Sequence, residues 1–225
     1  MPPFPNDSGS ALGAVCADLL SSGHDRPLDW SVYCGPSVCP SQPPPGWVGK
    51  SCSLRDLAGV LDETGDPVVV MHGRAEAGPR ALGHRSIFAD PRSPHMKARL
   101  NEIKRREAFR PVAPICLEHA APDIFVPGVP DPHMLFDHRV RDAWVSRIPA
   151  VLHVDGTARL QTISARDCPD TAELLEAFHH RTGVPVLCNT SANHHGRGFF
   201  PDAASAMAWG GADRVWVDGT LYGRR

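Results

Sequence analysis

Two apolar periods run along the chain, and most of its elements can be read from them. In residues 1–22, Leu12, Val15, Cys16, Leu19 and Leu20 recur at helical spacing, so the stretch predicts a helix capped by Asp7 or Ser8 and stopped by Gly23. Residues 24–49 lose the period and carry Pro43, Pro44 and Pro45, which reads as a linker or an extended arm. From Ser53 the pattern tightens. Ser53 and Asp56 resemble a capping box, Leu54, Leu57, Val60 and Leu61 share one helical face, and Gly65 ends the helix. Pro67–Met71 is continuously apolar, as in a strand buried on both faces.

The same reading continues to the C-terminus. Met96, Leu100 and Ile103 mark the buried stripe of a helix from Met96 to Phe109, which Pro111 forbids from continuing. Val112–Leu117 reads as a second buried strand, and residues 122–147 as loop with one edge strand. Asp155-Gly156 stands between two apolar runs, Val151–Val154 and Ala158–Ile163, and signals a hairpin. Asp170 and Glu173 open a helix with Leu174, Leu175 and Phe178 inward and Gly183 as its stop. Val184–Cys188 is a strand whose Pro185 argues for an edge or a strand start. A helix from Asp202 to Trp209 and a strand at Val215–Val217 follow. Helices alternating with short apolar strands predict an α/β fold, bordering on α+β, with a mixed sheet.

Composition changes this picture little. The chain has 225 residues, 42% apolar and 21% charged, which fits one substantial domain or a domain with an appendage. A net charge of −2 argues against generic nucleic-acid binding, and no apolar run approaches a membrane span. Seven scattered cysteines, odd in number and without C-x-x-C spacing, argue against a disulfide framework or a structural zinc site and for a reducing cytoplasm. The adjacent pairs His179-His180 and His194-His195 read as surface or structural residues. Only Lys50, Lys97 and Lys104 are lysines among 23 basic residues, so a lysine at a site stands out.

The chemistry gathers in residues 73–111. Glycine lets a backbone approach a ligand, and guanidinium groups grip oxyanions with two prongs. Arg74, Arg80 and Arg85 recur in a Gly/Pro-rich loop after the first buried strand, with Glu76 as an internal partner. Ligands sit at such carboxyl ends of strands in open α/β sheets. The helix that follows holds Lys97, Arg99, Lys104, Arg105 and Arg106. Such a charge run is ordinarily a solvated face, yet a rigid helix could aim Lys104 at a phosphate. Asn189–Asn193 offers hydroxyls, amides and turn N–H groups, which serve a phosphate cradle or merely a tight turn. There is no Walker-type lysine loop, no dinucleotide fingerprint and no H-E-x-x-H.

Four blocks, Gly73–Ile87, Asn101–Pro114, Ile148–Ile163 and Gly183–Gly196, together resemble the C-terminal, YrdC-like domain of the O-carbamoyltransferases. Asp7–Ala14 resembles the D-x-G-x-A-x-G-A segment that closes that family's other, actin-like domain. The resemblance implies a twisted mixed sheet flanked by helices over residues 51–225, and an appendage and linker over 1–50. It implies that ATP and carbamoyl phosphate give carbamoyl-adenylate and pyrophosphate, and that an actin-like subunit passes the carbamoyl group to a hydroxyl-bearing small molecule. Carried over by motif, Lys104, Arg159 and Ser191 are the catalytic residues, and Arg80, Arg85, Ser86, Arg106, Asn189 and Asn193 bind the nucleotide and phosphates. Mg2+ accompanies ATP. Asp7 helps hold a transition metal shared with the partner. This chain departs from the family's usual residues at Ala77, His84 and Ala192 and over Arg197–Phe200. These are pocket walls rather than charged positions.

The expectation is therefore the activating half of a split O-carbamoyltransferase. A self-sufficient adenylating enzyme for another small acid, and a non-enzymatic nucleotide-binding subunit, are the alternatives.

Overall fold

The computed structural model describes residues 7–28 and 30–224; residues 1–6, where the first helix reading begins, lie outside them. In chain order the elements are α1 (Ser10–Ser21), β1 (Trp47–Ser51), α2 (Leu54–Thr64), β2 (Val68–Met71), β3 (Arg85–Ala89), α3 (Met96–Ile103), β4 (Ala113–Leu117) and α4 (Ala121–Ile124). Next come β5 (Phe125–Val126), β6 (His138–Val140), α5 (Asp142–Val145), β7 (Thr157–Ala158), β8 (Gln161–Ile163) and α6 (Pro169–Thr182). The chain closes with β9 (Val186–Ser191), α7 (Ala203–Trp209), β10 (Arg214–Val217) and β11 (Thr220–Arg224). No helix of the described residues is long and apolar enough to cross a membrane.

One eight-stranded sheet carries the body, in the order β1-β11-β10-β2-β3-β9-β4-β8. Only β10/β2 and β4/β8 pair in parallel. The α/β expectation with a mixed sheet therefore holds, and most of its pairs are antiparallel. A small sheet, β5-β6-β7, is appended. β2 and β4 are buried along their whole length, as their continuous apolar runs require, and β3 is equally buried although it opens on Arg85 and Ser86. Pro185 immediately precedes β9, which lies inside the sheet between β3 and β4, so the strand-start reading of that proline applies. Leu57 and Leu61 of α2 and Leu174, Leu175 and Phe178 of α6 are buried in one core where the two helices pack together.

The capping box at Ser53 is formed: Ser53 Oγ accepts from the Asp56 N–H at 3.2 Å, and Asp56 Oδ2 accepts from the Ser53 N–H at 3.0 Å. Gly65 takes the left-handed conformation that ends α2. Replacing Ser53 by alanine leaves these end groups to water and is expected to cost about 1 kcal/mol in urea unfolding, against only a few tenths for glycine.

Several expectations change. The N-cap of α1 is Gly9, so neither Asp7 nor Ser8 caps that helix, and none of its residues is buried. Trp47–Ser51, read as the end of the arm, is an edge strand of the main sheet beside β11. α3 stops at Ile103 rather than near Phe109. Arg105 adopts φ +48°, and the Asn101 amide donates to the carbonyls of Ala108 and Arg110, folding the chain back. The Asp155-Gly156 turn exists but joins no hairpin. Pro149–Val151 is a 3-10 turn, β7 pairs with β6, and β8 pairs with β4. Turn chemistry was right there, while the strand partners are long-range. β3 and β11 were not anticipated.

The arm is packed on the body. The Gly35 N–H donates to the Ala75 carbonyl and the Ala77 N–H to the Val32 carbonyl. A Cβ at Gly35 would lie 2.8 Å from the Ala75 oxygen, so this approach needs glycine.

Candidate anion-binding site

The carboxyl end of β9, the loop after β2 and the turn after α3 converge on one cavity of about 80 Å3. Arg80 comes from the loop, Arg106 from the turn, and Arg159 from the link between β7 and β8. Asn189 and Ser191 end β9, and Met134 supplies an apolar wall. None of the lining residues is acidic. That space takes a phosphoryl-sized group.

The charges in this wall are not internally compensated. Among the described residues, Arg80 and Arg159 have no hydrogen-bond or ion-pair partner, and Arg159 Nε is buried without one. Burial first, and then the neighbouring Arg80, push the Arg159 pKa down to about 10, with Asp137 opposing the shift and Arg106 adding to it. Asn189 Nδ2 donates to Ala81 O at 3.0 Å and to Gln161 Oε1 at 2.8 Å, which fixes the amide's orientation. Its Oδ1 is then left buried and unpartnered. A buried polar atom without a protein partner costs about 1–3 kcal/mol, which a ligand group that pairs with it would offset. The cavity thus asks for an anion that also carries an N–H donor.

Other expected site residues are placed differently. Lys104 is buried, and its ammonium donates to Ser191 O at 2.6 Å, Asn193 O at 2.7 Å and Asn193 Oδ1 at 2.6 Å. All three donors are thereby used to brace the Ser191–Asn193 turn. Burial, with Arg106 adding to it, pulls the Lys104 pKa down to about 7. Asn193 is the other half of this brace, and its Nδ2 donates to Ser191 Oγ. Arg106 is partly spent too, donating to Asn101 Oδ1 at 2.6 Å and to Pro111 O at 3.2 Å.

Arg85 and Ser86 do not line the cavity. The Arg85 side chain is 1% exposed and donates to the carbonyls of His72, His84, Gly73 and Pro36. Ser86 Oγ, fully buried, accepts from the Gly83 N–H. Glu76 pairs with no arginine side chain; its Oε1 accepts from the backbone N–H groups of Leu82, His84 and Arg85. These three residues shape the loop that presents Arg80. Gln161 was missed: a fully buried polar residue of β8, bonded to Leu82 O and Asn189, which its company with Leu160 and Ile163 could have signalled. Asp7 is exposed and belongs to no group of described residues able to hold a metal.

A twisted mixed sheet with an arginine-walled cavity at a strand end defines the class: a YrdC-like α/β domain. The family described as Carbamoyltransferase C-terminus matches residues 60–223, and the chain belongs to that family. It is 58% identical to nodulation protein U of Rhizobium fredii over 222 residues, which cover 99% of this chain and 38% of that protein. It is 44% identical over 199 residues to the 3'-hydroxymethylcephem-O-carbamoyltransferase of Amycolatopsis lactamdurans, covering 88% of this chain and 38% of that enzyme. The chain thus spans about two fifths of the curated relatives it matches. Among solved structures, HypF of T. kodakarensis superposes with a TM-score of 0.50 at 18% identity, over 85% of this chain and 23% of that one, a likeness of fold.

Proposed function

We propose that this chain is the activating part of an O-carbamoyltransferase. It joins the carbamoyl group of carbamoyl phosphate to ATP, consuming one water and giving carbamoyl-adenylate, phosphate and pyrophosphate. An actin-like transferase module then passes the carbamoyl group to the hydroxyl of a small-molecule acceptor.

The supporting observation is the cavity lining, three arginines and the Asn189 amide without an acidic residue, in which Arg159 and Asn189 each keep one buried polar atom without a protein partner. Arg159 Nε calls for an oxyanion, and Asn189 Oδ1 calls for an N–H donor. Carbamoyl phosphate carries both within one small molecule. In this reading Arg80 and Arg159 hold the phosphate and later the charge that develops on the transferring group, the kind of fixed electrostatic support that phosphoryl-type chemistry needs. Asn189 orients the carbamoyl amide. Lys104 and Asn193 act as positioning residues that keep the Ser191 turn closed over the cavity. The lining offers no carboxylate for Mg2+, so the cation enters with the ATP phosphates and is held by them. Asp7, alone on the surface, supplies one oxygen to a transition metal only if the actin-like module provides the other ligands.

The test is ATP–pyrophosphate exchange by the chain. Exchange should require carbamoyl phosphate, and acetyl phosphate, which lacks the N–H donor, should support it at least about 100-fold less well. Exchange without any carbamoyl donor, or driven equally by acetyl phosphate, would point instead to an adenylating enzyme for another acid.

A further inference from the structure

We propose that His72, His84 and Cys168 form a site for one zinc-type divalent cation, which staples the base of the Gly/Arg loop to the start of α6. The spacing of the cysteines gave no hint of it, because the three residues come together only in the fold. One ligand atom from each lies within 4.8 Å of the other two. Tetrahedral zinc, with Zn–N and Zn–S bonds of about 2.0–2.3 Å, sets its ligand atoms about 3.5 Å apart, so side-chain torsions need to close the gaps by about 1 Å.

The surroundings prepare the two imidazoles for coordination. His72 Nδ1 lies 3.3 Å from Asp170 Oδ2, and His84 Nδ1 lies 2.7 Å from Arg74 O. Each ring thereby has an outside acceptor for a proton on Nδ1, as second-shell carboxylates and carbonyls provide for zinc histidines, and metal binding at His72 would compete with that ring's hydrogen bond to the Gly83 backbone. The two rings stand 4.2 Å apart, centroid to centroid. Cys168 is 1% exposed, and its Sγ lies 3.2 Å from Thr171 Oγ1, which is itself 3.5 Å from His72 Nε2. The Thr171 hydroxyl or a water completes a fourth position. On coordination the Cys168 thiol releases its proton to solvent. Nearby, Glu76 is 4% exposed with Oε2 buried and without a hydrogen bond, and it acts electrostatically on both His84 and Arg85.

Placement gives the site a purpose. His72 and His84 are the two ends of the loop that carries Arg80, and their backbones already meet through the His72 N–H and the His84 carbonyl at 3.1 Å. Tyr33 of the arm stacks on His84 at 3.8 Å, so the staple would also fix the arm. A structural cation here would hold the loop's geometry without touching the anion cavity.

Co2+ is the probe, titrated into the reduced, metal-free chain. One equivalent should produce tetrahedral d–d bands and a sulfur-to-cobalt charge-transfer band, and Zn2+ should displace both. The charge-transfer band should vanish in Cys168→Ser and persist in Cys39→Ser, which removes an exposed thiol. In His84→Gln, a substitution at a partly exposed ring, Co2+ affinity should fall at least about tenfold, which keeps the test available if Cys168→Ser does not fold. Stoichiometric Zn2+ should raise the thermal midpoint of the wild type and leave that of His84→Gln unmoved. A wild-type chain without the charge-transfer band, or an undiminished band in Cys168→Ser, overturns the proposal.

Discussion

Arg159→Ala is expected to lower carbamoyl phosphate-dependent ATP–pyrophosphate exchange by about 100-fold while leaving the fold as stable as before. The size follows from the chemistry of the missing group. A hydrogen bond to a charged partner contributes about 1.5–3 kcal/mol, and each 1.36 kcal/mol is a factor of ten in rate. The unchanged stability follows from the structure. Arg159 has no hydrogen-bond or ion-pair partner to lose among the described residues, and after the like charge of Arg80 its strongest neighbour is the opposite charge of Asp137, ahead of Arg106. Removing it gives up that attraction while relieving the repulsion, so the thermal midpoint should stay level. Arg159→Lys should recover little activity, because an ammonium lacks the planar fork. Full exchange activity in Arg159→Ala would show that the cavity's charge is incidental.

Arg85 should behave in the opposite way. Arg85→Met is expected to destabilise the chain by about 3–5 kcal/mol, the cost of breaking a buried charged network from one side. Four carbonyls, those of Pro36, His72, Gly73 and His84, accept from this one guanidinium, at 2.6 to 3.2 Å. Without it they are left in a nearly dry interior. For a chain of this length the loss corresponds to a fall of roughly 10 °C in thermal midpoint. Arg85→Lys should rescue little, since one ammonium cannot span carbonyls of the arm and both ends of the loop. Urea unfolding of the two variants beside wild type checks this, and a loss below about 1 kcal/mol would contradict the structural role. The pair of arginines separates the two kinds of work: one shapes the loop, and the other faces the ligand.

Local chemistry was legible wherever neighbours in sequence decide the outcome. The Ser53/Asp56 box, the stops at Gly65 and Gly183, and the buried face of α6 all rest on contacts within a turn or two. Elements decided by distant partners were not. β3 reads as loop because Arg85 and Ser86 break its apolar run, and one of its partners, β9, lies far from it in sequence. The Asp155-Gly156 turn misled because turn residues fix a bend but not which strands pair across it. At the site, Arg80, Arg106, Arg159, Asn189 and Ser191, all named by the motifs, line one cavity. What they could not assign was direction. Lys104 turns to the Ser191–Asn193 backbone and Arg85 to four carbonyls, outcomes that depend on which acceptors the fold leaves unsatisfied. The His72–His84–Cys168 group, from three separate segments, was invisible for the same reason.

Equilibrium titration of carbamoyl phosphate into the chain, followed by calorimetry beside Arg159→Gln and Asn189→Leu, bears most directly on the anion cavity. One saturable site in wild type, weakened by added salt and lost in Arg159→Gln, is the predicted result, with Asn189→Leu binding inorganic phosphate but no longer preferring carbamoyl phosphate. Equal binding by all three proteins would place the ligand elsewhere and remove the basis of the account.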